Sequence, residues 1–97
     1  MNHSYVPVTG VVVTGPVEKY ADPFRETREP CWRFAVVISC ENGRIINTHE
    51  ASYTSKRAAK RARQTLMEDG RYPHGRELCF NSEGTYIGYR STFGVGQ

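Results

Sequence analysis

Residues 55 to 63 read Ser-Lys-Arg-Ala-Ala-Lys-Arg-Ala-Arg, in which five of nine side chains are cationic and none is acidic. At helical spacing Lys56, Lys60 and Arg63 line one edge. Arg57 and Arg61 sit beside them, and all five turn away from the alanines. Helix physics alone disfavours this pattern. Cations in a first turn oppose the macrodipole, and like charges four residues apart (56/60, 57/61) repel by a few tenths of a kcal/mol. An anion on that face reverses the sign, because it meets free N–H groups, the dipole and Lys56 and Arg57 together. The chemistry indicated is anion binding, to nucleic-acid phosphates or to an acidic protein surface. The bland alternative is a solvated face offset by Glu50, Glu68 or Asp69.

A second set lies near the end of the chain. Tyr89 and Arg90, with Tyr72 and Tyr86, form a candidate aromatic and basic patch for stacking bases or meeting a protein partner. Strand alternation puts Tyr86 and Gly88 on one face and Ile87 and Tyr89 on the other, so part of the set belongs to the core. Catalytic residues are not expected. The glutamates are scattered, His49 reads as a hydrogen-bonded boundary histidine, and no nucleophile stands at useful spacing from a base. Cys31, Cys40 and Cys79 are odd in number and lack paired spacings, which disfavours a disulfide framework or a zinc knuckle. Neither a metal nor another cofactor is expected. Gly94-Val95-Gly96 lacks the strand–turn–helix setting of a nucleotide loop.

Ninety-seven residues (11.0 kDa) predict a single domain spanning 1–97. With 38% hydrophobic and 24% charged residues, disorder throughout is excluded. The longest apolar runs, Val11–Val13 and Ala35–Ile38, are far short of the roughly 20 residues that cross a bilayer. The start at Met1-Asn2-His3-Ser4 has no basic region followed by an apolar one, which predicts an unprocessed, cytoplasmic chain. The net charge of +3 is uneven. Residues 55–63 carry +5, and the eight cations and ten acids elsewhere leave −2.

Several elements must hold the basic segment in place. The valine-rich stretch from Tyr5 to Val17, punctuated by Pro7 and Gly10, predicts one bent strand with a bulge at Gly10. Residues 19–30, with Pro23 and Pro30, predict a mobile loop. Trp32, Phe34, Val36 and Ile38 fall on one face of a strand ending at Ser39. Asn42-Gly43 predicts a two-residue type I′ hairpin into a strand from Arg44 to about Ala51. That register sets Cys40 against Ile45, Ile38 against Asn47 and Val36 against His49. Residues 52–69 predict a helix, with Ser52, Thr54 or Ser55 as cap, Gly70 as stop, and Ala58, Ala59, Ala62, Thr65 and Leu66 as the buried stripe. Glu77–Phe80 and Thr85–Arg90 predict two strands around the turn at residues 81–84. Residues 91–97 predict a frayed tail. The expected fold is α+β, a small antiparallel sheet in the order β-β-β-α-β-β with one helix packed on one face. An unpaired edge strand also offers a homodimer.

Ser55-Lys56-Arg57-Ala58-Ala59-Lys60, followed by Ala62 and Leu66, resembles the last helix of double-stranded-RNA-binding domains, whose pattern is Ser-Lys-Lys-x-Ala-Lys and an alanine-rich run. The resemblance implies that Lys56, Arg57 and Lys60 touch phosphates across a groove and read its shape. Arg63 and Gln64 stand where that family has alanines, and two strands are expected after the helix, where that family ends. Trp32-Arg33-Phe34, Asn42-Gly43-Arg44-Ile45-Ile46 and Glu50-x-x-Tyr53-x-Ser55-Lys56 are also similar to the small bacterial YegP-like domains.

The function expected from these residues is non-enzymatic binding of RNA or DNA phosphates through Lys56, Arg57, Lys60, Arg61 and Arg63, with Tyr89 and Arg90 as further contacts. The alternative is a protein inhibitor or adaptor of the kind phages and mobile elements encode against a host complex, such as an anti-defence or anti-CRISPR protein.

Overall fold

The computed structural model describes residues 3–21 and 31–92, apart from the side chain of Ser52. The described elements are β1 (Ser4–Val13), β2 (Glu18–Tyr20), β3 (Cys31–Cys40), β4 (Ile45–Tyr53), α1 (Lys56–Asp69), β5 (Glu77–Phe80) and β6 (Tyr86–Arg90). The α+β class, the antiparallel pairing and the single helix packed against the sheet are as expected. One strand is additional. Lys19 and Tyr20, expected in a loop, join Glu18 in β2, which pairs with β3 and carries a cross-strand ion pair from Glu18 to Arg33 at 2.8 Å. The rest of the expected loop, residues 22–30, and residues 93–97 of the expected tail lie outside the described residues.

β4 occupies one edge of β3 over Trp32–Ser39, so β1 and β2 share the other edge, end to end. β1 is long enough to serve two partners. Ser4–Pro7 pair with β5, Val8–Val13 pair with β3, and the register slips between Val8 and Gly10, where the sequence predicts a bulge. β6 completes the order beyond β5. A side chain bridges from the β4 end of the sheet to the β5–β6 end. The guanidinium of Arg44, at the start of β4, donates to the carbonyl of Gly84 in the β5–β6 turn and lies 4.5 Å from the Phe80 ring centroid.

The β3–β4 hairpin forms where Asn42-Gly43 predicts it, but with a different turn. Gly43 N–H donates to Cys40 O, Cys40 N–H donates to Arg44 O, and the pairing begins at Ser39 opposite Ile45. The loop is therefore three residues, Glu41-Asn42-Gly43, with Gly43 at φ 87° closing it as a bulge. This form needs positive φ at the glycine, whereas a type I′ turn needs it at Asn42 as well. The register moves by one residue, and every side chain of β4 changes face. His49 pairs with Ala35, not Val36, and is exposed; Glu50 pairs with Phe34 and is buried.

α1 begins at Lys56, not near Ser52, because β4 runs on to Tyr53. Ser55 is the cap in use, its hydroxyl accepting from Ala58 N–H at 3.2 Å. Gly70, at φ 67°, stops the helix by donating to Leu66 O, while its own carbonyl accepts from Val11 N–H at 2.9 Å. Ala59 and Leu66 are buried on the sheet and Ala62 half-buried; Ala58, expected in the same stripe, is exposed. The core gathers Val11, Phe34, Val36, Ile38, Cys40, Leu66, Tyr72, Leu78 and Phe80. Trp32, expected on the same face as Phe34, is half-buried and is not among the residues packed against this core. Fully burying a side chain such as Phe34, Ile38 or Leu78 stabilises the fold by about 1.5–3 kcal/mol.

Candidate nucleic-acid interface

The buried stripe of Ala59, Ala62 and Leu66 fixes the rotation of α1, and this turns its cations outward. Lys56, Arg57, Lys60 and Arg61 are exposed, and Arg63 is half-buried at the edge. Among the described residues no carboxylate forms an ion pair with any of the five. Elsewhere three arginines are paired, Arg33 with Glu18, Arg76 with Glu50, and Arg90 with Glu77, each at 2.8 Å, while Arg44 and Arg71 form no ion pair among the described residues. The first turn of α1 contains no acid, and Glu68, an expected offset, instead accepts from Gln64 Nε2.

The helix presents two flanks. On one, Lys56, Lys60 and Arg63 line a cleft of about 430 Å³ against Pro16 and Val17, as their spacing predicts. Arg63 is anchored there, with Nε donating to Gly15 O at 2.8 Å. The Lys56 ammonium lies 5.5 Å from the Trp32 ring centroid.

On the other flank Arg61, Ala62 and Thr65 border a groove of about 370 Å³. Its far wall is a polar cluster that sequence reasoning missed. Glu50 Oε2 accepts from the Tyr72 hydroxyl at 3.0 Å and from Arg76 at 2.8 Å. The Arg76 guanidinium lies 3.6 Å from the Tyr72 ring centroid and 3.8 Å from that of Tyr89. Burial, then the charge of Glu50, pushes the Tyr72 hydroxyl well above the ordinary tyrosine range, and Tyr53 shifts the same way for the same causes. Both phenols are therefore neutral and not bases, and that of Tyr72 donates a hydrogen bond. Burial likewise raises the Cys40 thiol, Arg44 opposing it, so Cys40 is not an activated nucleophile. Among the described residues no group of three or more His, Cys, Asp or Glu side chains could hold a metal ion.

The expected patch near the end of the chain divides. Tyr72 is buried. In β6 the register slips between the Cys79 and Phe80 pairs, leaving Ile87 as an extra residue. Tyr86, opposite Phe80, and Tyr89, opposite Leu78, therefore share the helix-side face, contrary to simple alternation. Tyr86 packs against the core and Tyr89 is exposed. Arg90 goes to the other face, where it pairs with Glu77 and lies 3.7 Å from the Tyr5 ring centroid. Tyr89 thus adjoins the second groove through Arg76, and Arg90 belongs to neither flank of the helix.

A three-residue hairpin loop, read from Gly43 in the bulge position, would have turned Glu50 inward. No local signal indicates that Arg76 is its partner. Among the described residues no helix is long and apolar enough to cross a membrane. The chain matches no known family model, no curated protein and no solved structure.

Proposed function

We propose that this chain is a non-enzymatic nucleic-acid-binding domain that lies on phosphates with the outward face of α1. The observation that carries this reading is the clustering of Lys56, Arg57, Lys60, Arg61 and Arg63 on one helix, with no acid in its first turn and no ion pair to any of the five among the described residues. Such a band is unfavourable within its own helix and becomes favourable against an anion. Lys56 and Lys60 lie four residues apart, about 6 Å along the axis, so the band can reach successive phosphates. The resemblance to double-stranded-RNA-binding helices points the same way at Lys56, Arg57 and Lys60.

The test is a salt titration of binding to labelled RNA and DNA, duplex and single-stranded, by the wild type and by Lys56→Glu/Lys60→Glu. Each phosphate contact contributes about −0.9 to the slope of log K against log salt on duplex DNA. Weak, equal binding by both proteins at low salt overturns the reading. Retention of a host protein on nuclease-treated resin would assign the same charges to an acidic protein surface instead.

A further inference from the structure

The groove beside Arg61 has features that a phosphate-binding helix does not need. Its wall holds a carboxylate, Glu50, whose side chain is only 10% exposed. Tyr72 and Arg76 both donate to the same oxygen, Oε2, so neither of them uses Oε1. Among the described residues no buried side-chain polar atom lacks a partner, yet Glu50 lines the groove. Its second oxygen is thus a hydrogen-bond acceptor at the wall of the groove. Tyr53 and Tyr72 supply aromatic walls, and Ala58 keeps the helix side low. Arg61 and Arg76 border the same space, and Arg61 belongs to the basic band. At about 370 Å³ the groove lies in the size range of small-ligand sites.

We infer that this groove takes one unstacked nucleotide of a strand whose backbone lies on α1: the base enters between Ala58 and the tyrosines, an amino group on its edge donates to Glu50, and Arg61 meets its phosphate. The inference rests on the proposed phosphate-binding reading and adds base recognition to it. A buried carboxylate accepts from an exocyclic amino group and repels a carbonyl, so adenine and cytosine are favoured over uracil. The aromatic walls add stacking, which is tolerant of sequence.

The experiment compares the wild type and Ala58→Trp on four single strands of equal length and charge: oligo(A), oligo(C), oligo(U) and an abasic oligomer. Ala58 is exposed and packs on nothing in the core, so tryptophan there fills the groove while leaving the cations and the Glu50–Arg76 pair in place. The wild type is expected to bind oligo(A) and oligo(C) at least about 5-fold tighter than the abasic oligomer, with oligo(U) weaker than either. Ala58→Trp is expected to bind all four alike, at the wild-type abasic level. Wild-type affinity that is equal for the abasic oligomer and the others overturns the groove assignment and leaves the phosphate reading standing. Equal losses by Ala58→Trp on every oligomer, the abasic one included, also overturn it. Failure of the wild type to bind any of the four at low salt overturns the groove assignment, and it overturns the phosphate reading as well only when duplex RNA and duplex DNA are not bound either.

Discussion

Arg76 meets Glu50 at 2.8 Å with side-chain exposures of only 13% and 10%, and the contact ties the edge strand β4 to the segment leading into β5. The two residues are 26 positions apart in the chain. Removing either partner leaves a charge with little access to water, which costs about 3–5 kcal/mol. That is a large share of the roughly 5–15 kcal/mol that holds a small domain together. Glu50→Leu and Arg76→Met should each lower the midpoint of urea unfolding sharply. The double variant Glu50→Leu/Arg76→Met should lose much less than the sum. Additive losses in the double-mutant cycle would show that the two residues act separately.

The same cluster predicts an alkaline limit. Tyr72 has a raised pKa in the folded state, chiefly from burial and then from the charge of Glu50. A group raised on folding contributes stability that is complete below its unfolded pKa, near 10 for tyrosine, and is lost as pH rises beyond it. Stability should therefore be flat with respect to this group up to about pH 10, then fall by up to about 1.4 kcal/mol per pH unit for one tyrosine. Tyr72→Phe should weaken the protein at neutral pH by about 1.5–3 kcal/mol through the lost hydrogen bond to a carboxylate and should flatten the alkaline slope. Unfolding curves at pH 8, 10 and 11 read both effects. An unchanged slope in Tyr72→Phe would assign the alkaline loss elsewhere.

Binding and stability should move in opposite directions at the start of α1. Arg57 stands in a first turn that contains no acid. Arg57→Glu places a carboxylate at the positive end of the helix and should raise stability by about 0.3–1 kcal/mol at low salt. It should also weaken nucleic-acid binding and make the salt slope shallower. Thermal melts and binding titrations on one preparation check the pair of signs. Reduced stability in Arg57→Glu would mean that the cation has a structural partner.

Two substitutions of single glycines probe the turns that set the register and end the helix. Gly43, at φ 87°, and Gly70, at φ 67°, each have open space where a Cβ would sit, so alanine there meets no steric obstacle. The cost is conformational alone, about 1 kcal/mol at each site. Gly75→Ala should cost more, because at φ 69° its Cβ would also collide with the Thr92 hydroxyl. Equal losses at all three positions in chemical denaturation would rule out the steric contribution at Gly75.

Much of this protein is written locally. The alternation from Phe34 to Ile38, the place of the Asn42-Gly43 turn, the Gly70 stop and the bulge at Gly10 are each decided by residues within a few positions of one another and are legible in the sequence, whereas the form of that turn and the choice of Ser55 among three candidate caps are not. The cationic face of α1 is equally legible, since helical spacing alone separates Lys56, Lys60 and Arg63 from Ala59 and Leu66. The tertiary structure decided what depends on distant partners. One extra residue in the β3–β4 loop turned Glu50 inward and His49 out, because the side-chain period of a strand is two and a slip of one reverses every face. The bulge at Ile87 brought Tyr86 and Tyr89 to one side and sent Arg90 to the other. Above all, the buried pair of Glu50 and Arg76 exists because β4 and the segment leading into β5, which no strand pairing joins, close on each other. That closure depends on packing between segments far apart in the chain, and local spacing carries no record of it.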